Sequence, residues 1–388
     1  MSVPLSFDLT EEQKLVRDSI RAFAEAEIKP RAHDLDRREA FSVELTRKMG
    51  EVGLLGMTID PAYGGKGMDH VSYIVAVEEL ARIDGSQAAT IAAHNSLGAG
   101  PIYDFGNEAQ KKRYLPKLCE SHVWGFGLTE ADAGSDAGGS KTTAVKKNGR
   151  WYLNGSKTFI TNGSAECTLG VTVQAVTGTR PSGSKEYTCF LLESGTRGFT
   201  TKTMKDKLVW RASDTAELYF DDVELSDDQV LGKVGEGFHQ MLGTLDAGRL
   251  SIGAMGLGCA QGAYEQGLSY AKERRQFGKP ISSFQTNAFK LADMAMGLEH
   301  ARLFLYYACW LKDQKRPFAR ESAMAKLYCS ELAQMCVTHG LQLHGAYGFM
   351  GEYAIERFFR DQKLLEVGEG TSEIQRLVIS RLIGCYEE

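Results

Sequence analysis

The strongest constraint on this chain is that its apolar periodicity changes twice. In the first hundred residues apolar side chains recur at helical spacing, and Leu15, Val16, Ile20 and Phe23 form a stripe expected to end before Pro30. Thr10 with Gln13 reads as a capping box at the start of that helix. Asp60-Pro61-Ala62-Tyr63-Gly64-Gly65-Lys66-Gly67 has loop chemistry and reads as a turn rather than a phosphate cradle, because no strand precedes it. Helical spacing resumes from Val71 to Ile83 and from Ala88 to Leu97. Alternation then takes over: Trp151 and Leu153, Val171 and Val173, Tyr187, Cys189 and Leu191, Leu218 and Phe220, with Asn-Gly turns expected at Asn148-Gly149 and Asn154-Gly155. Past Gly237 long helices return, from Met241 to Glu273, Phe284 to Lys312, Arg320 to Leu343 and Ser372 to Ile383. The order predicts an α+β fold with an N-terminal helical domain over residues 1–123, a central antiparallel β domain over 124–235 and a C-terminal four-helix bundle over 236–388.

Length and charge narrow the functional classes. A chain of 388 residues exceeds one small core, and 43% hydrophobic with 24% charged residues is ordinary for a soluble globular protein. The net charge is −5 with cations scattered, so no nucleic-acid footprint is present. The eight cysteines never form a Cys-x-x-Cys pair and read as buried thiols in a reducing compartment. His339 and His344 lack partners at zinc-motif spacing, so no metal is expected. The N-terminal residues lack a basic stretch followed by an apolar one, and no apolar run approaches about 18 residues, so neither secretion nor a membrane span is expected.

One carboxylate stands out. Glu369 lies between Gly368 and Gly370, which leave the backbone uncrowded for a bound molecule, and Ser372 with Gln375 reads as a capping box that starts the next helix. That segment alone fits either a placed general base or an ordinary acidic loop. A helix carrying Gly253, Gly256, Gly258, Gly262 and Gly267 costs about 1 kcal/mol per glycine relative to alanine, which close helix or ligand approach must offset. Gly253-x-x-Gly256-x-Gly258 has the wrong spacing for a dinucleotide fingerprint. The stretch from Ala301 to Leu311, with Phe304, Leu305, Tyr306, Tyr307 and Trp310, is apolar nearly all round and points to burial or self-association.

Six segments in order resemble the acyl-CoA dehydrogenase family: Tyr63-Gly64-Gly65, the run from Gly127 through Thr129 and Ser135 to Asp136, Phe159-Ile160-Thr161-Asn162-Gly163, the run from Glu273 to Gly278, the run from Gln342 to Phe349, and Glu369-Gly370-Thr371. The resemblance covers essentially the whole chain. It implies an FAD enzyme that removes the α-proton and β-hydride of an acyl-CoA thioester to give the 2,3-enoyl-CoA, with Glu369 as base and its backbone N–H in the oxyanion hole. Some members carry the base at the position of Gly248, which cannot serve here.

By the same resemblance Phe126, Leu128 and Thr129 line the flavin ring, Ser135 touches both FAD and CoA, Phe159 stacks where relatives often have Trp, and Thr161 lies near N5. Arg274, Gln276, Phe277, Phe284 and Gln285, with Gln342, Gly345 and Ala346, match residues that reach the FAD of a neighbouring subunit, and Thr371 and Glu373 complete that site. Ala346 departs from the usual Gly, and Glu373 also fits a solvated first-turn acid. Asp246, Arg249 and Gly370 match substrate-side positions, Arg249 having a surface salt bridge as its alternative.

Gly368 stands where many straight-chain members place Tyr, and Ala89, Ala92 and Ala93 lie on the helix that usually lines the acyl pocket, so a short, branched or cyclic acyl group is expected. The resemblance also implies electron-transfer flavoprotein as partner and a homotetramer built as a dimer of dimers. The expected compartment is a bacterial cytoplasm, with a mitochondrial matrix as the alternative. A flavin oxidase or monooxygenase of the same fold, or a non-catalytic scaffold, are the competing functions.

Overall fold

Residues 7–386 are described by a computed structural model in which the chain forms two compact units. One holds residues up to 34, 69–88 and those from 249 on; the other holds residues 35–68 and 89–248. The helices are α1 (Glu11–Phe23), α2 (Lys29–Arg38), α3 (Val43–Glu51), α4 (His70–Ala81), α5 (Gly85–Ala93), α6 (Gly100–Phe105), α7 (Glu108–Glu120), α8 (Gly237–Glu273), α9 (Gln285–Asp313), α10 (Ala319–His344), α11 (Ile355–Val367) and α12 (Ser372–Leu382). The main sheet is built from β1 (Val123–Gly127), β2 (Thr143–Lys147), β3 (Arg150–Thr161), β4 (Thr168–Thr179), β5 (Lys185–Glu193), β6 (Phe199–Thr203), β7 (Thr215–Leu225) and β8 (Val230–Leu231). A small hairpin adds β9 (Arg275–Gln276) and β10 (Lys279–Pro280).

The Thr10–Gln13 capping box forms as expected, each side chain bonding the other's backbone N–H. The helical path does not stop before Pro30. A π-turn over Ala24–Ile28, closed by the Lys29 N–H donating to the Ala24 carbonyl, widens the backbone just ahead of the proline, and the chain continues as α2.

The sheet runs in the order β6-β7-β3-β2-β4-β5-β8, with β1 also on β4. Most pairings are antiparallel, but β1 and β2 pair parallel with β4, so the sheet is mixed rather than wholly antiparallel. The parallel pairs arise because the long loop after β1 lets the chain re-enter the sheet in the same direction. Asn148-Gly149 turns the β2–β3 hairpin with both residues at positive φ. Asn154-Gly155 is not a turn. It sits inside β3 as a bulge, where Gly155 at φ +136 lets the backbone pass Thr142; a Cβ there would lie 2.8 Å from the Thr142 Cα.

Alternation along the strands buries both sheet faces. Val171, Val173, Phe190, Leu192, Leu218 and Phe220 form one cluster. Trp124, Cys189 and Leu191 form the other with Ile102, Tyr114 and Leu118 from α6 and α7. In the first unit α9 packs on α4 and α10, and α10 also packs on α11 and α12. The glycines of α8 allow close packing as expected: a Cβ at Gly258 would lie 2.2 Å from the Glu78 carbonyl of α4, and one at Gly256 2.8 Å from the Cys329 carbonyl of α10. A helix over Ile355–Val367, which periodicity alone did not single out, leads directly into the Glu369 loop.

Candidate active site

The residues singled out above fall into two groups, one in each unit. In the β-sheet unit, β1 ends at Gly127 and delivers Leu128 and Thr129, both half-buried, with Phe126 buried in the strand. Two bonds fasten this exit to β3: the Thr158 N–H donates to the Thr129 carbonyl at 2.9 Å, and the Lys157 ammonium to the Leu128 carbonyl at 3.0 Å. The next residue is Phe159. A bulge between Lys157 and Ile160 and a φ of +59° turn its ring outward, leaving it 65% exposed on an otherwise alternating strand. Thr161 follows two positions on, half-buried, and Ser135 is exposed on the loop after β1. An exposed aromatic ring on a strained strand backbone is left free to meet a bound molecule.

Beneath this surface lies an ion pair that sequence reasoning missed. Lys157 is fully buried and donates to Glu130 at 2.7 Å, while Glu130 also accepts from the Ser140 hydroxyl and from the N–H groups of Lys141 and Thr142. Burial alone would raise the Glu130 carboxyl, but the bonds from Lys157 and Ser140 outweigh it and bring it down to about 2. Burial pulls Lys157 down in turn; the carboxylate sets the state of the pair, because its four donors all favour the ionised form. The pair clamps the ends of the loop that carries Ser135. Alternation offered a signal, since Lys157 occupies an inward position of β3.

The second group includes Glu369. Helix α11 closes with the Gly368 N–H donating to the Leu364 carbonyl, and Glu369 and Gly370 then adopt φ of +52° and +91°. A left-handed glutamate is strained, so its loop must be held by its surroundings. Gln375 donates to the carbonyls of Glu369 and Gly370 at 3.1 and 2.9 Å. The fully buried Lys326 of α10 donates to the Gly370 carbonyl at 2.8 Å, and Ser330, one turn on, to the Leu365 carbonyl at 2.9 Å.

The expected Ser372–Gln375 capping box is corrected here. Thr371 is the N-cap and accepts the Ile374 N–H, while Ser372 is already the first helical residue and Gln375 serves the Glu369 loop instead. Lys326 was missed by sequence reading, and Gln375 was given a capping role instead of its hold on the Glu369 loop. Lys326 was legible only as a lone cation among Ala323, Ala325 and Cys329 on an apolar helix.

Burial raises the Glu369 carboxyl to about 7, with the charges of Lys326 and Arg249 holding it back from rising further. Its Oε2 atom is shielded and has no hydrogen-bond partner among the described residues. Arg249 is buried rather than at the surface. Asp246 is half-buried on α8 in the other group. Arg274, Gln276, Phe277 and Gln285 are exposed at the β9–β10 hairpin and the start of α9, with Phe284 half-buried and edge-on to the Phe277 ring. Gln342, Gly345 and Ala346 are exposed around the end of α10. Thr371 is half-buried, and exposed Glu373 is held below the usual carboxylate range by its own N–H and the Thr371 hydroxyl. Among the described residues no cluster of His, Cys, Asp or Glu is arranged for a metal, and no helix is long and apolar enough to cross a membrane.

The sheet unit thus carries an outward aromatic ring and several hydroxyls, and the helical unit carries a shielded carboxylate on a strained loop. Comparison with known proteins assigns the class. The acyl-CoA dehydrogenase N-terminal, middle and C-terminal domain descriptions match residues 10–122, 125–223 and 235–384. The chain belongs to the acyl-CoA dehydrogenase family. It is 47% identical over 378 residues to the probable acyl-CoA dehydrogenase YngJ of Bacillus subtilis, covering 97% of this chain and 99% of that one.

Butyryl-CoA dehydrogenase from Megasphaera elsdenii superposes with a TM-score of 0.94 at 39% identity, over 98% of this chain and all of the other. A structure described as the electron transferring flavoprotein of Acidaminococcus fermentans, concerning flavin-based electron bifurcation, matches with a TM-score of 0.94 at 42% identity over 98% and 100% of the two chains. The chain is an FAD-dependent acyl-CoA dehydrogenase, an oxidoreductase acting on CH–CH bonds.

Proposed function

We propose that Glu369 removes the α-proton of a short, branched or cyclic acyl-CoA thioester. The observation that carries this reading is the shielded, partnerless Oε2 of a carboxyl raised to about 7 on a strained loop between two glycines. A base near neutrality is better matched to a weakly acidic α-proton than a glutamate in water. FAD, when bound, supplies the acceptor for the β-hydride. Phe126, Leu128, Thr129, Phe159 and Thr161 would hold its ring, Ser135 would meet FAD and CoA, and Thr371 and Glu373 would complete the site with Arg274, Gln276, Phe277, Phe284, Gln285, Gln342, Gly345 and Ala346 from a second subunit. The Glu369 N–H would donate to the developing enolate oxygen, with Asp246, Arg249 and Gly370 on the substrate side.

The carboxyl works deprotonated, so flavin reduction is expected to rise with pH through about 7. Stopped-flow traces from pH 5.5 to 9 check this, and a flat profile would contradict it. Because the native carboxyl lies above its ordinary 4.5, its contribution to stability is present below that value and is lost as pH rises through about 7.

The acyl group is read from Gly368, which adds no bulk beside the base, with support from the butyryl-CoA dehydrogenase named above. Anaerobic bleaching by butyryl-, isobutyryl-, cyclohexanecarboxyl- and palmitoyl-CoA tests it. One of the first three is expected to act fastest; fastest bleaching by palmitoyl-CoA would overturn the assignment. Electron-transfer flavoprotein is the proposed acceptor, supported by the flavoprotein structure from Acidaminococcus fermentans. A homotetramer is supported by the exposed apolar side chains of α9, among them Phe289, Met296, Leu303, Tyr307 and Trp310. The Bacillus relative supports a bacterial cytoplasm.

A further inference from the structure

We propose that Lys326 is a positioning residue for the base: its ammonium fixes the left-handed Glu369–Gly370 loop through the Gly370 carbonyl and places a positive charge beside the carboxylate. The inference rests on the reading of Glu369 as base. Among the largest fully buried side chains of the described residues, two are lysines, Lys157 and Lys326. Lys157 has a carboxylate at 2.7 Å to offset its desolvation. Among the described residues Lys326 has no ion pair that close; its bond runs to a backbone carbonyl in a loop that carries the strain of Glu369 at φ +52°. A buried ammonium is costly, so placing one here for a single loop bond would be poor economy unless its charge also acts on its neighbour.

The charges acting on the pair come from Arg249 of α8, Glu366 of α11 and Glu373 of α12, with none among the described residues from α9, which also packs on α10. Arg249 opposes Lys326 and supports ionised Glu369; Glu366 and Glu373 support protonated Lys326. Burial lowers Lys326 to about 8, which leaves it mostly charged at neutral pH, where Glu369 is passing into its active carboxylate form. Ser330, one turn along α10, holds the end of α11 at the same time, so one helix face grips the base loop and the helix leading into it.

The test compares holoenzymes carrying Lys326→Met, Lys326→Gln and Lys326→Arg with wild type, using butyryl-CoA and flavin reduction from pH 5.5 to 9. Removing the charge is expected to move the rising limb up by about one pH unit, roughly tenfold in rate on that limb. Lys326→Arg keeps the charge and is expected to leave the limb in place while lowering the maximal rate, because its longer planar group cannot meet the Gly370 carbonyl in the same geometry. A readout independent of turnover is the infrared band of the protonated Glu369 carboxyl, assigned by its loss in Glu369→Gln, which should persist to higher pH in Lys326→Met.

Lys326→Gln retains a donor for the loop, so it still decides the question if Lys326→Met does not fold. Unchanged limbs and an unchanged band in a folded charge-removing variant would overturn the proposal. Flavin reduction surviving in Glu369→Gln would instead overturn the base assignment itself, so the two failures are separable.

Discussion

Glu369→Gln is expected to keep FAD bound and to slow flavin reduction by butyryl-CoA roughly 10²–10⁴-fold, the usual range for loss of a general base. The amide has nearly the shape of the carboxyl, and the loop is held through backbone carbonyls by Gln375 and Lys326, so the fold has no reason to change. What disappears is the proposed proton acceptor. Stopped-flow absorbance on the bleached flavin reads the rate, and the visible spectrum of the purified variant reads cofactor retention. Turnover within a few-fold of wild type would mean that another group takes the proton.

Lys157→Met carries the largest expected effect on stability. Breaking a buried ion pair by removing one partner typically costs about 3–5 kcal/mol, because the remaining charge stays desolvated. Here Glu130 would keep Ser140 and two backbone N–H groups but lose its counter-ion, and the Leu128 carbonyl would lose its donor. FAD affinity is therefore expected to weaken along with the denaturation midpoint. The pH dependence carries a sign. Glu130 lies at about 2 in the native state against an ordinary 4.5, so its stabilisation is present above 4.5 and is lost as pH falls toward 2. The gap between wild type and variant in urea unfolding should be full at pH 7 and smaller near pH 3.5. Equal midpoints at pH 7 would show that the pair contributes no net stability.

Much of this was legible in the chain. Where local chemistry suffices, expectation and structure agree: the Thr10–Gln13 box, the Asn148-Gly149 hairpin and the alternation of β4 and β5 need only neighbours within a few residues. The misreadings share one cause, that a local motif has more than one tertiary outcome. Asn154-Gly155 has the composition of a turn, but Thr142 approaches it across the sheet and makes it a bulge. Pro30 would stop an isolated helix, yet a π-turn ahead of it lets the path continue. Ser372 and Gln375 have capping-box spacing, but Thr371 takes the cap and Gln375 turns to the Glu369 loop.

The sequence by itself determined the class of the molecule: helices around a sheet, a glycine-flanked carboxylate, and six ordered segments that specify a flavin-dependent acyl-CoA dehydrogenase. These are properties of residue order, which one-dimensional patterns carry in full. Only the tertiary structure decided what state that carboxylate is in. Its rise to about 7 depends on desolvation and on Lys326 and Arg249, 43 and 120 positions away in the chain. Charge and burial act through space, and sequence separation says nothing about which groups folding will bring together.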